Sequence, residues 1–239
     1  MICKLTGKEG SPAKAHIIPK SFYFINKTLK HPLKLATNTK GIYPKKSWTG
    51  IYDDKIVTQE GEKIFLEWDD YAFKLLVEQA DSAKPLKHGG SIVAYTYDNY
   101  NYEKLKLFFL SVLWRAGASS QKCFKRVNLG PHLEILREAI IDSNPGNSDF
   151  YATFLALFDD EQSWAKIMDP FQVRFNGIKF YKFYMGNIVA YIKVDKQKAR
   201  APMREIQLVH NQPLYLIKRK FLGSKDQFVM QNIIKNMNG

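Results

Sequence analysis

Between Phe171 and Val194 the chain reads as three short runs rich in aromatic and β-branched residues, separated by two tight-turn signals. Phe171–Phe175 precedes Asn176-Gly177, Ile178–Tyr184 precedes Met185-Gly186-Asn187, and Ile188–Val194 closes the set. Asn-Gly between such runs is the strongest short hairpin signal, because both central residues of that turn need positive φ. An antiparallel meander is therefore expected in the last third of the chain, and all-helical folds are excluded. Leu214–Ile217 reads as a further strand, and a helix capped by Ser224 is expected over about 224–236.

Upstream the apolar spacing becomes helical. Ile64, Phe65, Trp68, Tyr71, Ala72, Leu75 and Leu76 recur at three- and four-residue steps and predict a helix from about Glu60 to Gln79. Leu105, Phe108, Phe109, Val112 and Leu113 predict another over Asn101–Ala116, and Pro131–Asp142 opens as a third through its proline. Pro19–Leu29 also reads as helix, Ser91–Thr96 and Lys55–Thr58 as strands, and 31–50 as a long polar loop. Phe150–Phe158 fits either element. The stretch from Asp81 to Gly90, with Pro85, Gly89 and Gly90, is the best domain boundary. It divides the chain into an N-terminal unit, 1–80, and a C-terminal unit, 81–239. The fold class is α+β, with helices at about 101–142 and antiparallel strands at about 171–217.

Lys and Arg total 36 against 23 Asp and Glu, a net charge of +13, so a polyanion partner is expected, nucleic acid being the commonest. The competing explanation is AT-rich coding bias, which accounts for the choice of Lys over Arg better than for the excess of positive charge. No apolar run approaches the roughly 20 residues that a membrane span needs. The N-terminus lacks the layout of a signal peptide, so a cytoplasmic location is the expectation. The only cysteines, Cys3 and Cys123, cannot build a four-cysteine zinc site.

Three segments carry the chemistry. Cys3-Lys4-Leu5-Thr6-Gly7 is a tight turn. Ala15-His16-Ile17-Ile18-Pro19-Lys20 places one imidazole where an extended segment gives way to a helix. Histidine titrates near neutral pH and can act as a general base, whereas the plain reading of His16 is a polar residue at a helix entrance. The third segment, Gly50 to Glu62, leads into the helix containing Trp68-Asp69-Asp70-Tyr71-Ala72.

In order and spacing these segments resemble bacterial HNH-like nucleases of the ββα-metal type, in a branch where two Cys-x-x-Cys turns flank a His-Ile-Ile-Pro-Lys segment. The resemblance covers about residues 1–75 and continues weakly through Leu110-Ser111-Val112-Leu113-Trp114-Arg115-Ala116. It implies a ββα unit at the N-terminus and hydrolysis of a phosphodiester, with His16 as general base and a divalent cation, magnesium or manganese, stabilising the leaving oxygen. A role in phage defence or as a toxin also follows from the resemblance alone.

The departures are specific. Of the four family cysteines only Cys3 remains, Thr6, Thr58 and Gly61 standing at the other three positions, so a structural zinc is not expected. Ala15 replaces the aspartate that often precedes the histidine, and no histidine follows in the helix after Thr58. Asp53, Glu62 and Asp69 are the candidate metal ligands; Glu62 and Asp69, seven apart, share one helical face. Their alternatives are a solvated helix face, with Glu60 and Glu62 favouring the helix N-terminus, and, for Asp69, a structural hydrogen-bond acceptor between Trp68 and Tyr71. Candidate nucleic-acid contacts are Lys14, Lys20, Arg115, Lys198 and Arg200, DNA being favoured over RNA. His132 reads as structural.

Three functions follow. The first is a metal-dependent endonuclease. The second is a catalytically inactive nucleic-acid-binding protein on a decayed HNH scaffold. The third is a protein-interaction module using the aromatic stretch from Phe171 to Tyr191.

Overall fold

The computed structural model describes residues 1–23, 33–35, 45–47, 50–158, 169–229 and 231. Its N-terminal part contains β1 (Ala15–His16), β2 (Leu33–Leu35), β3 (Lys45–Ser47), β4 (Tyr52–Asp53) and α1 (Gln59–Phe73). β1 pairs antiparallel with β4, Ala15 opposite Asp53 and His16 opposite Tyr52, and β2 pairs with β3. The segment read as a polar loop thus holds a two-stranded pair. Lys55–Thr58 is not a strand: Thr58 is the N-cap of α1, its Oγ1 accepting the Gly61 N–H at 3.4 Å. A capping hydroxyl satisfies a helix-end donor, which outweighs the β-preference of Ile56, Val57 and Thr58. A π turn over Lys74–Glu78 continues α1.

The rest of the chain adds β5 (Lys84–His88), β6 (Ser91–Tyr97), α2 (Tyr102–Ala118), α3 (His132–Ile141), β7 (Thr153–Phe158), β8 (Phe171–Phe175), β9 (Ile178–Met185), β10 (Ile188–Lys193), α4 (Met203–Ile206) and β11 (Leu214–Arg219). Seven strands make one sheet in the order β5-β6-β11-β7-β10-β9-β8. Every neighbouring pair is antiparallel except β11 and β7. The expected meander is β8-β9-β10, turned at Asn176-Gly177 (φ 50° and 82°) and at Gly186 (φ 64°). It ends there. β7 already occupies the free edge of β10, so β11 enters on the far side of β7, parallel to it. Residues 81–90, read as a boundary, contain β5, which forms a hairpin with β6 through Gly89 and Gly90.

The helix α2 is the centre of the molecule. Every residue from Leu105 to Ala116 except Arg115, Lys106 and Ser111 is apolar, and those three are buried too. A helix apolar all round must be packed on all sides. One apolar core runs from Cys3 and Phe22 through α1, α2 and α3 to Tyr181, Phe183 and Met185 on one face of the sheet. The alternate residues of β9, Ile178, Phe180 and Tyr184, belong to a second core with Phe154, Tyr191 and Phe221. Around β7, β9 and β10 the sheet is therefore covered on both faces, whereas β5 at its edge is exposed throughout. Residues 225–229 are helical, as Ser224 predicts, while 232–236 lie outside the described residues, as do 24–29 of the expected Pro19–Leu29 helix, of which a 3-10 turn over Lys20–Tyr23 is seen.

Candidate functional site

The first turn of the chain is held by sulfur. Cys3 is fully buried, and its Sγ accepts the Thr6 N–H at 3.5 Å. Burial opposes ionisation of this thiol, but hydrogen bonds from Thr6, Thr58 and Leu5 prevail and lower its pKa. Gly61 closes the cluster: a Cβ there would lie 2.6 Å from Cys3 Sγ and 3.6 Å from Thr58 Oγ1. Positions 3, 6, 58 and 61 thus meet at one point, filled by direct packing. Arg137 Nη1 donates to Leu5 O at 2.9 Å and Lys4 Nζ to Ala118 O at 2.8 Å, tying this turn to α3 and to the C-terminal end of α2.

His16 ends β1 and is half-buried. Its ring meets Tyr52 edge-on, centroids 6.1 Å apart, and Lys14 Nζ lies 5.8 Å from the centre of the same tyrosine ring. Lys14 is exposed and two residues from His16, so extended backbone puts both on one face. Gly50, with φ 78°, lets the backbone approach here; a Cβ would come within 3.3 Å of Tyr23 and 3.7 Å of His16 Cδ2.

Behind His16 lies a buried clamp. Arg115 is 2% exposed and uses all five of its N–H donors inside the protein. Nη1 donates to His16 O at 2.8 Å and to Asp69 Oδ2 at 2.9 Å; Nη2 donates to Asp69 Oδ1 at 2.7 Å and to Ser111 Oγ at 3.0 Å; Nε donates to Ser111 O at 3.3 Å. Phe65 covers the guanidinium, 4.7 Å away. Arg115 therefore has no donor left for a phosphate, and its expected role as a nucleic-acid contact is corrected to that of an internal brace. Burial pushes the Asp69 carboxyl up, against the pull of Arg115.

The three candidate metal ligands do not form a donor set. Asp69 has both oxygens on Arg115. Asp53 is fully buried: Oδ1 accepts the Lys55 N–H at 2.9 Å, while Oδ2 accepts Ser119 Oγ at 2.8 Å, Ser120 N–H at 2.7 Å and Ser120 Oγ at 3.0 Å. Burial alone would raise its pKa, yet these hydrogen bonds hold it below the ordinary carboxylate range. Glu62 sits in the first turn of α1. Among the described residues no group of three or more His, Cys, Asp or Glu side chains is placed to hold a metal ion.

The remaining basic candidates fall in two places. Lys20 is exposed just after the His16 segment. Lys198 and Arg200 lie on the segment following β10, Lys198 Nζ 3.5 Å from Asp149 Oδ2 and Arg200 Nη2 3.4 Å from Gln197 Oε1. His132 is structural, its Nδ1 2.9 Å from Tyr151 Oη.

Lys106 has no counterpart among the sequence expectations, and Lys182, expected beside Tyr181 and Tyr184 on a face for bases and phosphates, is buried instead. Lys182, on the second-core face of β9, is ion-paired with buried Asp226 and ringed by Phe171, Tyr184 and Tyr191 at 5.6, 5.0 and 5.2 Å. Burial pushes it down to about 8. Lys106, buried in α2 with Nζ 2.9 Å from Tyr151 O, is pushed down to about 7. Asp53's hydrogen-bonded role was also missed. The available signals were a lysine at an apolar-phase position in each element and the Ser119-Ser120 pair ending α2.

Compared with known proteins, the chain matches no family model, no curated protein and no solved structure. Among the described residues no helix is long and apolar enough to cross a membrane.

Proposed function

We propose that this chain acts on nucleic acid through the His16 end of its β1-β4-α1 unit, as a protein of the HNH-like endonuclease type. The observation that carries the reading is the placement of His16. It ends the first strand of a ββα arrangement, its carbonyl is fixed by Arg115, and its ring shares a face with Lys14. Convergence of positions 3, 6, 58 and 61 at one buried point supports the resemblance, since these are the family's four cysteine positions. In this reading His16 takes the proton from the attacking water, and Lys14 and Lys20 neutralise phosphate. Asp53, Glu62 and Asp69 do not fit a divalent cation, so no step is routed through one.

A different observation, the commitment of both Asp69 carboxylate oxygens to Arg115, favours a second reading, a nucleic-acid-binding protein without catalysis. The test is incubation of purified protein with plasmid, single-stranded DNA and RNA, with and without magnesium or manganese, beside His16→Ala. Cleavage by the wild type alone supports the endonuclease. Binding without cleavage by either protein selects the binding reading, and neither binding nor cleavage overturns both.

A further inference from the structure

The seven arginines of the chain are not used alike. Arg115 and Arg137 hold carboxylates, Arg174 donates to Gly177 O, and Arg219 is bonded to Tyr191 Oη. Arg200 reaches only the amide oxygen of Gln197, and among the described residues Arg204 has no hydrogen bond or ion pair through its guanidinium. Arg200 and Arg204 line the same groove, of about 660 Å³, beside α4. Lys198 lines it as well, and Glu205 is its single acid. All four side chains are exposed.

This arrangement has a definite chemistry. A guanidinium with free donors binds a phosphate through two parallel hydrogen bonds. Lys198 is already paired with Asp149, so Arg200 and Arg204 against Glu205 are what leave the groove net positive; it is larger than a single phosphate and open to solvent along its rim. No aromatic residue lines it, so it offers bases no stacking surface. Contacts confined to phosphates position a strand without reading its sequence. The segment is also anchored: Asn176 Nδ2 donates to Ala201 O at 3.4 Å and Lys193 Nζ to Gln197 O at 2.6 Å.

We infer that this groove is a phosphate-binding track for one strand of nucleic acid, with Arg204 and Arg200 as its principal contacts and Lys198 as a supporting charge. It is separate from the His16 cluster and does not depend on catalysis there.

The test is fluorescence anisotropy of labelled 20-nucleotide oligo-dT and oligo-dA on the full chain, titrated at several salt concentrations. Wild type, Arg200→Ala/Arg204→Ala, Arg200→Lys/Arg204→Lys and His16→Ala are compared. The expected result is equal affinity for the two oligonucleotides and at least tenfold weaker binding by the double alanine variant. Its slope of log K against log salt should be shallower by about 1.4, at roughly 0.7 per phosphate contact for single strands. The double lysine variant should keep the wild-type salt slope, since both charges remain, and lose part of the affinity with the paired hydrogen bonds; His16→Ala should keep the contribution of the groove. An unchanged slope and affinity in the double alanine variant would overturn the inference, as would failure of the wild type to bind at 50 mM salt. Displacement of the oligonucleotide by 1 mM inorganic phosphate would assign the groove to free phosphate and overturn the strand.

Discussion

Arg115 grips both carboxylate oxygens of Asp69, at 2.7 and 2.9 Å, and with the same guanidinium holds the carbonyl of His16. One side chain thus joins α2, α1 and β1 and sets where the His16 ring emerges. Arg115→Ala leaves the part-buried Asp69 carboxylate uncompensated and should cost about 3 kcal/mol. Arg115→Lys should recover only part of that, because an ammonium cannot match the planar fork. Urea midpoints of the two variants check both statements.

Asp53 accepts from four donors, three of them on Ser119 and Ser120, and so joins β4 to the end of α2. Removing it in Asp53→Ala strands them and should cost roughly 2–3 kcal/mol. The folded pKa lies below the unfolded value, so this stabilisation is present above about pH 4 and is lost as pH falls through the folded value. Urea unfolding from pH 7 to 3 should show a flatter acid limb for Asp53→Asn than for the wild type.

Lys106 shares the sign of that shift but not its consequence at neutral pH, because here the depressed value marks a charged form that burial penalises. Its folded pKa, about 7, lies below the unfolded value, so the unfolded chain binds the extra proton between about pH 7 and 10.5. Stability attributable to this group therefore rises with pH across that window. Lys106→Met should be stabilising at pH 7, by on the order of 2 kcal/mol, with an advantage that shrinks by pH 10. Thr153 Oγ1 also donates to Tyr151 O, so the carbonyl keeps a partner. Thermal unfolding at the two pH values reads the difference.

Gly61 faces the sulfur of Cys3, where a Cβ would sit at 2.6 Å. Gly61→Ala should destabilise by about 1–3 kcal/mol. Combined with Cys3→Ala, the loss should be less than the sum of the single losses, since each change relieves the other. A double-mutant cycle by urea denaturation measures this coupling.

These cases show what a linear sequence carries. Asn176-Gly177 announced its hairpin because the turn is local and its φ requirement is met by two adjacent residues. The apolar spacing around Phe108 and Leu113 announced α2 for the same reason. β11 was legible as a strand but not as the partner of β7, because that pairing joins residues about sixty apart and depends on which sheet edge is free. The candidate site divides likewise. His16 stands out by its neighbours in sequence, whereas Asp69 reads equally as a solvated acid, a metal ligand or a structural hydrogen-bond acceptor, and only the packing of α2 supplies Arg115 as its partner. Spacing puts Glu62 and Asp69 on one helical face; it does not say what packs there.

The central claim, that the His16 end of the ββα unit meets nucleic acid, is tested most directly by NMR. The imidazole Hε1 signals would be followed during titration with a short oligonucleotide, and the His16 signal assigned by its loss in His16→Gln. A saturable shift of the His16 signal is expected, while that of His132, held against Tyr151, stays in place. A His16 signal that does not move at oligonucleotide concentrations saturating the protein would contradict it.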